Sequence, residues 1–144
     1  MIMLSFHPII QLIATLLTIY VLVLGTARFR QLHLKQEIFF KWQRHVKLGT
    51  ASLLMLLFGA LFGSLMVKVF WHGFFITGSH GRRLFFILPL IFTGLFSGWY
   101  MHKWKKKRVV LPLMHGSINV LLIGLLLFHA LSGWQVYNAY VLGN

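Results

Sequence analysis

Leu111–Gly133, LPLMHGSINVLLIGLLLFHALSG, is the stretch from which the rest of the chain is best read. It contains no Asp, Glu, Lys or Arg. At about 1.5 Å per residue it is long enough to cross a bilayer as a helix. It does carry two histidines, His115 and His129, fourteen positions apart. Fourteen steps of about 100° leave them about 40° apart around a helix and about 21 Å apart along it. One face therefore presents an imidazole towards each side of a membrane. Ionisable, metal-binding side chains inside a span are costly and by default mark function.

The whole chain has the same character. Of its 144 residues 58% are hydrophobic, and Glu37 is the single carboxylate. That is too apolar for a soluble domain of this length. Four long apolar runs, at approximately 8–27, 46–67, 83–101 and 111–133, predict an all-α integral membrane four-helix bundle. It forms one transmembrane domain over residues 1–144. A net charge of +13 in a soluble protein points to nucleic acid. Here the cations lie in the loops, so topology and anionic lipid head groups explain them and no nucleic-acid partner is expected. The absence of cysteine excludes disulfides, thiolate metal ligands, iron–sulfur ligation and covalent c-type haem attachment. Any haem must be held non-covalently.

In chain order, the N-terminus MIMLSFHP lacks Lys and Arg, so no cleaved signal is expected. Pro8 suits the first turn of span one. The segment RFRQLHLKQEIFFKWQRHVK follows, with aromatics beside Arg28, Arg30, Lys35, Lys41, Arg44 and Lys47. It suits an interfacial segment such as an amphipathic helix lying on the membrane. Gly59 and Gly63 in span two, and Gly94 and Gly98 in span three, are small-xxx-small pairs that permit close approach. Pro89 is a candidate kink in span three. The second connector holds only Lys68, Arg82 and Arg83, whereas the third holds Lys103, Lys105, Lys106, Lys107 and Arg108. The positive-inside rule then puts both termini outside (periplasmic) and the two basic loops in the cytoplasm, in a prokaryotic inner membrane. His7, His80 and His129 fall near the outer face, and His45 and His115 near the inner. His33, His72 and His102 read as solvated or interfacial.

A repeat runs through the spans. His7, His45, His80 and His115 stand at their heads, and Gly25, Gly63, Gly98 and Gly133 each follow eighteen residues later. Eighteen residues are five turns, so each His and its Gly share one helix face, about 27 Å apart. Fourteen residues after each His stand Val21, Gly59, Gly94 and His129. The expected arrangement is a macrocycle near each leaflet, held by His from two helices while Gly on the other two makes room. His45 and His115 are the natural axial pair of an inner haem. On the outer side His7, His80 and His129 are three candidates for two positions. Imidazole is a good ligand to haem iron, and a bis-His site favours electron transfer because no coordination position stays open. Arg82 and Arg83 can pair with haem propionates. Asn119, one turn after His115, can hydrogen-bond within the bundle or to haem.

Four spans with first-with-third and second-with-fourth histidine pairing resemble the core of the cytochrome b561 superfamily. The HP start of span one, the S-H-G before span three and the H-x-x-x-N of span four (His115, Asn119) are similar to related prokaryotic four-helix membrane proteins. The resemblance covers nearly the whole chain, and His129 departs from its four-histidine pattern. It implies a cytochrome with two b haems, relaying electrons across the membrane or to and from quinone. It also implies an electron-transfer subunit working with other redox subunits or cytochromes in the lipid bilayer, rather than a stand-alone oxidoreductase. The alternative is a haem-free membrane anchor or scaffold subunit. A proton-coupled transporter is weakened by the lack of acidic residues in the spans.

Overall fold

The computed structural model describes residues 2–73 and 75–143. The chain forms α1 (Ile2–His33), α2 (Trp42–Trp71), a short α3 (Ser79–Arg82), α4 (Leu84–Lys103) and α5 (Val110–Tyr137), which runs into a π-helical turn, Asn138–Leu142. Four segments are long and apolar enough to cross a membrane, with α3 and α4 contributing one of them as Ser79–Lys103. Helix is the form such sequences must take in lipid, where every backbone polar group has to find its partner inside the segment.

The helices outrun the apolar runs that predict them. α1 starts at Ile2, so Pro8 lies inside the helix and not at its first turn. Its missing N–H leaves the Leu4 carbonyl without the usual intrahelical donor. The interfacial helix expected after span one is not formed. α1 continues to His33, α2 begins at Trp42, and residues 34–41 are non-helical. Lys35 has a positive φ of 52°, which stops the helix. The following turn is tied back to α1 by Gln31 Nε2 donating to the Ile38 carbonyl and Arg30 Nε donating to Gln36 Oε1 at 2.7 Å. α2 ends at His72 in the left-handed region, with its N–H on the Lys68 carbonyl at 3.1 Å.

α1 packs on α2, α2 on α4, α4 on α5 and α5 on α1, a ring in which α1 faces α4 and α2 faces α5 across the axis. Ser5 Oγ lies 2.9 Å from Tyr137 Oη, and Tyr140 Oη donates to the Ile76 carbonyl at 3.1 Å. These bonds gather both chain ends and the α2–α3 connector at one end of the bundle, here called the terminal end. At the other, the basic end, the Trp42 and His102 rings lie 5.5 Å apart and Lys105 Nζ sits 4.5 Å above Trp42.

The core extends the repeat seen in the sequence. Residues seven and eleven after each leading histidine are Ala14 and Thr18, Ser52 and Leu56, Ile87 and Ile91, Leu122 and Leu126. All are buried, none more than 5% exposed. Steps of seven and eleven stay within about 20° of the line joining each His to its Gly. One stripe per helix therefore builds the interior, with histidine and glycine at its ends and a mostly aliphatic layer at mid-depth. Phe6, Leu16, Phe58, Phe92 and Phe128 point outward and are exposed, as lipid-facing side chains must be.

Candidate cofactor sites

The stripes bring the histidines together in two pairs across the bundle axis. At the terminal end the rings of His7 (α1) and His80 (α3, leading into α4) are 6.3 Å apart, with planes crossed at 84°. At the basic end those of His45 (α2) and His115 (α5) are also 6.3 Å apart, crossed at 71°. Two imidazoles bound to opposite sides of one metal, each through a nitrogen at about 2 Å, hold their ring centres roughly 6 Å apart.

Each ring is held by the helix beside it. His7 Nδ1 donates to the Gly59 carbonyl at 2.8 Å, His45 Nδ1 to the Val21 carbonyl at 3.1 Å, and His80 Nδ1 to the His129 carbonyl at 3.2 Å. A carbonyl only accepts, so Nδ1 carries the proton and Nε2 keeps its lone pair. The acceptors are the residues fourteen positions into the neighbouring stripe. The glycines explain why these carbonyls can be reached. In a helix the carbonyl of residue i points towards residue i+4, and Gly63, Gly25 and Gly133 stand four residues after Gly59, Val21 and His129. Without a side chain there, the imidazole slides in and takes the second lone pair. A Cβ on Gly63 would fall 2.6 Å from His7 Cε1, one on Gly133 2.9 Å from His80 Cε1, and one on Gly25 3.1 Å from His45 Cε1.

The fourth copy uses a hydroxyl instead. Ser97 Oγ donates to the Thr93 carbonyl at 2.6 Å and accepts from His115 Nδ1 at 2.7 Å. Gly98 is correspondingly looser, its Cβ position lying 3.4 Å from His115 Cε1. Asn119 donates to the His115 carbonyl at 2.8 Å and fills the space over Gly94. Metal-binding histidines almost always give their other N–H to such a partner, which fixes tautomer and ring orientation.

The two ends differ in their surroundings. A cavity of about 1050 Å³ opens at the basic end, lined by His45, His115, Gly25, Gly98 and Asn119, with Arg28, Lys105, Lys106, Lys107 and Arg108 also on its wall. Glu37, the one carboxylate, is not among its lining residues. His33 and His102, expected to be solvated or interfacial, line it too; His102 is exposed and His33 is half-buried against Phe29. At the terminal end a smaller pocket of about 330 Å³ touches His80 and Ser132. Arg83 donates to Ser132 Oγ, while Arg82 is exposed. His129 is buried and lies flat on His80, beside it and not across from it.

Among the described residues no group of three or more His, Cys, Asp or Glu side chains is placed to hold a metal ion. The donors come in twos. That does not suit a tetrahedral, all-protein site. It suits a metal that brings its equatorial ligands with it, as haem iron does. Sequence reasoning missed Ser97 and the backbone carbonyls. A small polar residue beside the stripe glycine is a signal for the first, but nothing in a side-chain pattern marks the second. No family model, curated protein or solved structure matches the chain.

Proposed function

We propose that this chain is a b-type membrane cytochrome that holds two haems and passes single electrons between the two faces of a membrane, or to and from quinone. One observation carries the reading: each end of the bundle has a crossed imidazole pair 6.3 Å apart, with every Nδ1 engaged, so that Nε2 keeps its lone pair; among the described residues only the Nε2 of His115 is met by a protein donor, Asn119 Nδ2 at 3.5 Å, which a metal would displace. In this reading His7 and His80 would hold the haem at the terminal end, and His45 and His115 that at the basic end. Haem supplies the one-electron couple; the protein supplies ligands, spacing and a low dielectric. The resemblance to the cytochrome b561 superfamily points the same way.

The rest of the chain fits that task. The two levels are about 21 Å apart along α5. The layer between them, with Ile87, Ile91, Leu122 and Leu126, resists an ion, which would lose its hydration there. An electron, which carries no hydration shell, would not be stopped by it. Cations on the basic-end cavity favour the reduced state of a haem bound there and pair with its propionates. By the positive-inside rule this end faces the cytoplasm of a prokaryotic cell, the termini lie outside, and other redox subunits or cytochromes exchange electrons with the chain. The test is the reduced-minus-oxidised spectrum of protein purified from cells with ample haem. A b-type spectrum is expected. A colourless, folded preparation would instead favour a haem-free anchor subunit.

A further inference from the structure

His129 breaks the symmetry of the two sites. The equivalent positions in the other stripes are Val21, Gly59 and Gly94, none of which brings a ring. The His129 imidazole lies 3.8 Å from that of His80 with only 14° between their planes, a face-to-face stack. It is 7% exposed, more deeply buried than the four paired histidines, which are all half-buried. Its own Nδ1 is buried without a hydrogen-bond partner among the described residues, so no polar contact of that atom with them accounts for its position. Its main chain and side chain act on the same neighbour: the His129 carbonyl accepts from His80 Nδ1 at 3.2 Å while the ring covers the His80 face. Ser132, one turn on, also approaches His80 Nδ1, at 3.3 Å, and takes the Arg83 guanidinium. At the basic end the nearest aromatic ring to His45 besides His115 is Phe40, 5.4 Å away and tilted by 58°, which leaves the His45 plane free of a flat wall.

We infer that His129 is a positioning residue that fixes the plane of the His80 imidazole, and so sets the ligand geometry and the potential of the terminal-end haem but not of the other. The inference rests on the di-haem reading. A ring bonded through Nδ1 at its edge can still rock about the line from that bond to the metal. A second ring stacked on its face stops the rocking and holds the crossed angle of 84° to His7. The orientation of axial imidazole planes governs the anisotropy of the low-spin ferric signal, which is largest when the planes are crossed. The stack therefore has a spectroscopic readout that general packing lacks.

The experiment uses His115→Ala as background, so that the remaining haem is the terminal-end one. Into it go His129→Leu, which keeps bulk but removes the stack, and His129→Phe, which keeps a stacking ring without the nitrogen. Haem content, the low-temperature electron paramagnetic resonance spectrum and the midpoint potential are measured on each purified protein. One haem per chain is expected throughout. In His129→Leu the lowest-field g value should move to higher field and broaden, and the potential should shift. In His129→Phe both should stay at the background values. Loss of the haem in His129→Leu with retention in His129→Phe supports the stack; loss in both makes His129 a ligand and overturns it. Unchanged spectra in both variants, or equal changes in both, also overturn it. A parent protein without haem would sink the di-haem reading itself, and is seen before any variant at position 129 is made.

Discussion

A single methyl group at Gly63 is the sharpest perturbation of the terminal-end site. Its Cβ would stand 2.6 Å from both Cε1 and Nδ1 of His7 and 3.1 Å from Nε2. Carbon contacts are comfortable only from about 3.5 Å, so the imidazole must retreat by roughly 0.8–0.9 Å. The ring is the far end of a side chain, and the bundle accommodates Gly63→Ala by swinging it away. The damage then falls on the site and not on the fold. The hydrogen bond to the Gly59 carbonyl is lost, at about 1 kcal/mol. Forcing the ring back against the methyl to reach the metal costs about 1–3 kcal/mol more. The hydrogen bond is missing with or without haem, so only the second cost falls on binding, which weakens at that end by roughly 5- to 150-fold, at about 1.4 kcal/mol per tenfold. Gly98→Ala is the matched control, because its Cβ meets His115 Cε1 at 3.4 Å, near an ordinary contact. The assay is haem per chain on purified protein under limiting haem, with thermal denaturation beside it. Gly63→Ala should lose up to one haem equivalent at a stability cost of only about 1 kcal/mol, while Gly98→Ala keeps both. Equal haem content in Gly63→Ala and the parent, or equal loss in both variants, refutes the reasoning.

Three further outcomes follow from the same contacts. His115→Ala and His45→Ala should each remove one haem equivalent and leave the other, since both rings belong to one pair; two haems in His115→Ala would contradict the pairing. Ser97→Ala removes the acceptor of His115 Nδ1, and affinity at the basic end should fall by about 10- to 100-fold, read by haem titration, with partial recovery in Ser97→Thr. Because the chain has no native cysteine, single cysteines at Lys106 and Gln135 report topology cleanly. A membrane-impermeant thiol reagent applied to intact spheroplasts should label position 135 and spare 106, and the reverse pattern would invert the proposed orientation.

The four spans were legible because hydropathy and length alone determine a transmembrane helix. So was the sharing of one face by His45 and Gly63, or His80 and Gly98, because that is helix arithmetic. The reason for the glycines was only half legible. Room for a flat ligand was the expectation, whereas in the structure each glycine seats an imidazole from the next helix, and three of them uncover a main-chain carbonyl for it. Carbonyl acceptors leave no trace in a side-chain pattern. The choice among His7, His80 and His129 was out of reach for a similar reason. All three sort to one end, and only the ring order of the helices puts His7 across from His80 and His129 beside it. Local breaks were missed as well. The aromatic and basic run after span one has the composition of an interfacial helix, yet side-chain bonds from Arg30 and Gln31 hold the turn at Lys35 open.

Haem stoichiometry is the most direct test of the two-site claim. Pyridine haemochrome absorbance, set against protein mass from amino-acid analysis, gives haem per chain without any assumption about ligands or partners. Two crossed histidine pairs call for two b haems per chain. A value of one would leave the second pair without a role and end the transmembrane relay. A value of zero in protein made with ample haem would contradict the cytochrome altogether.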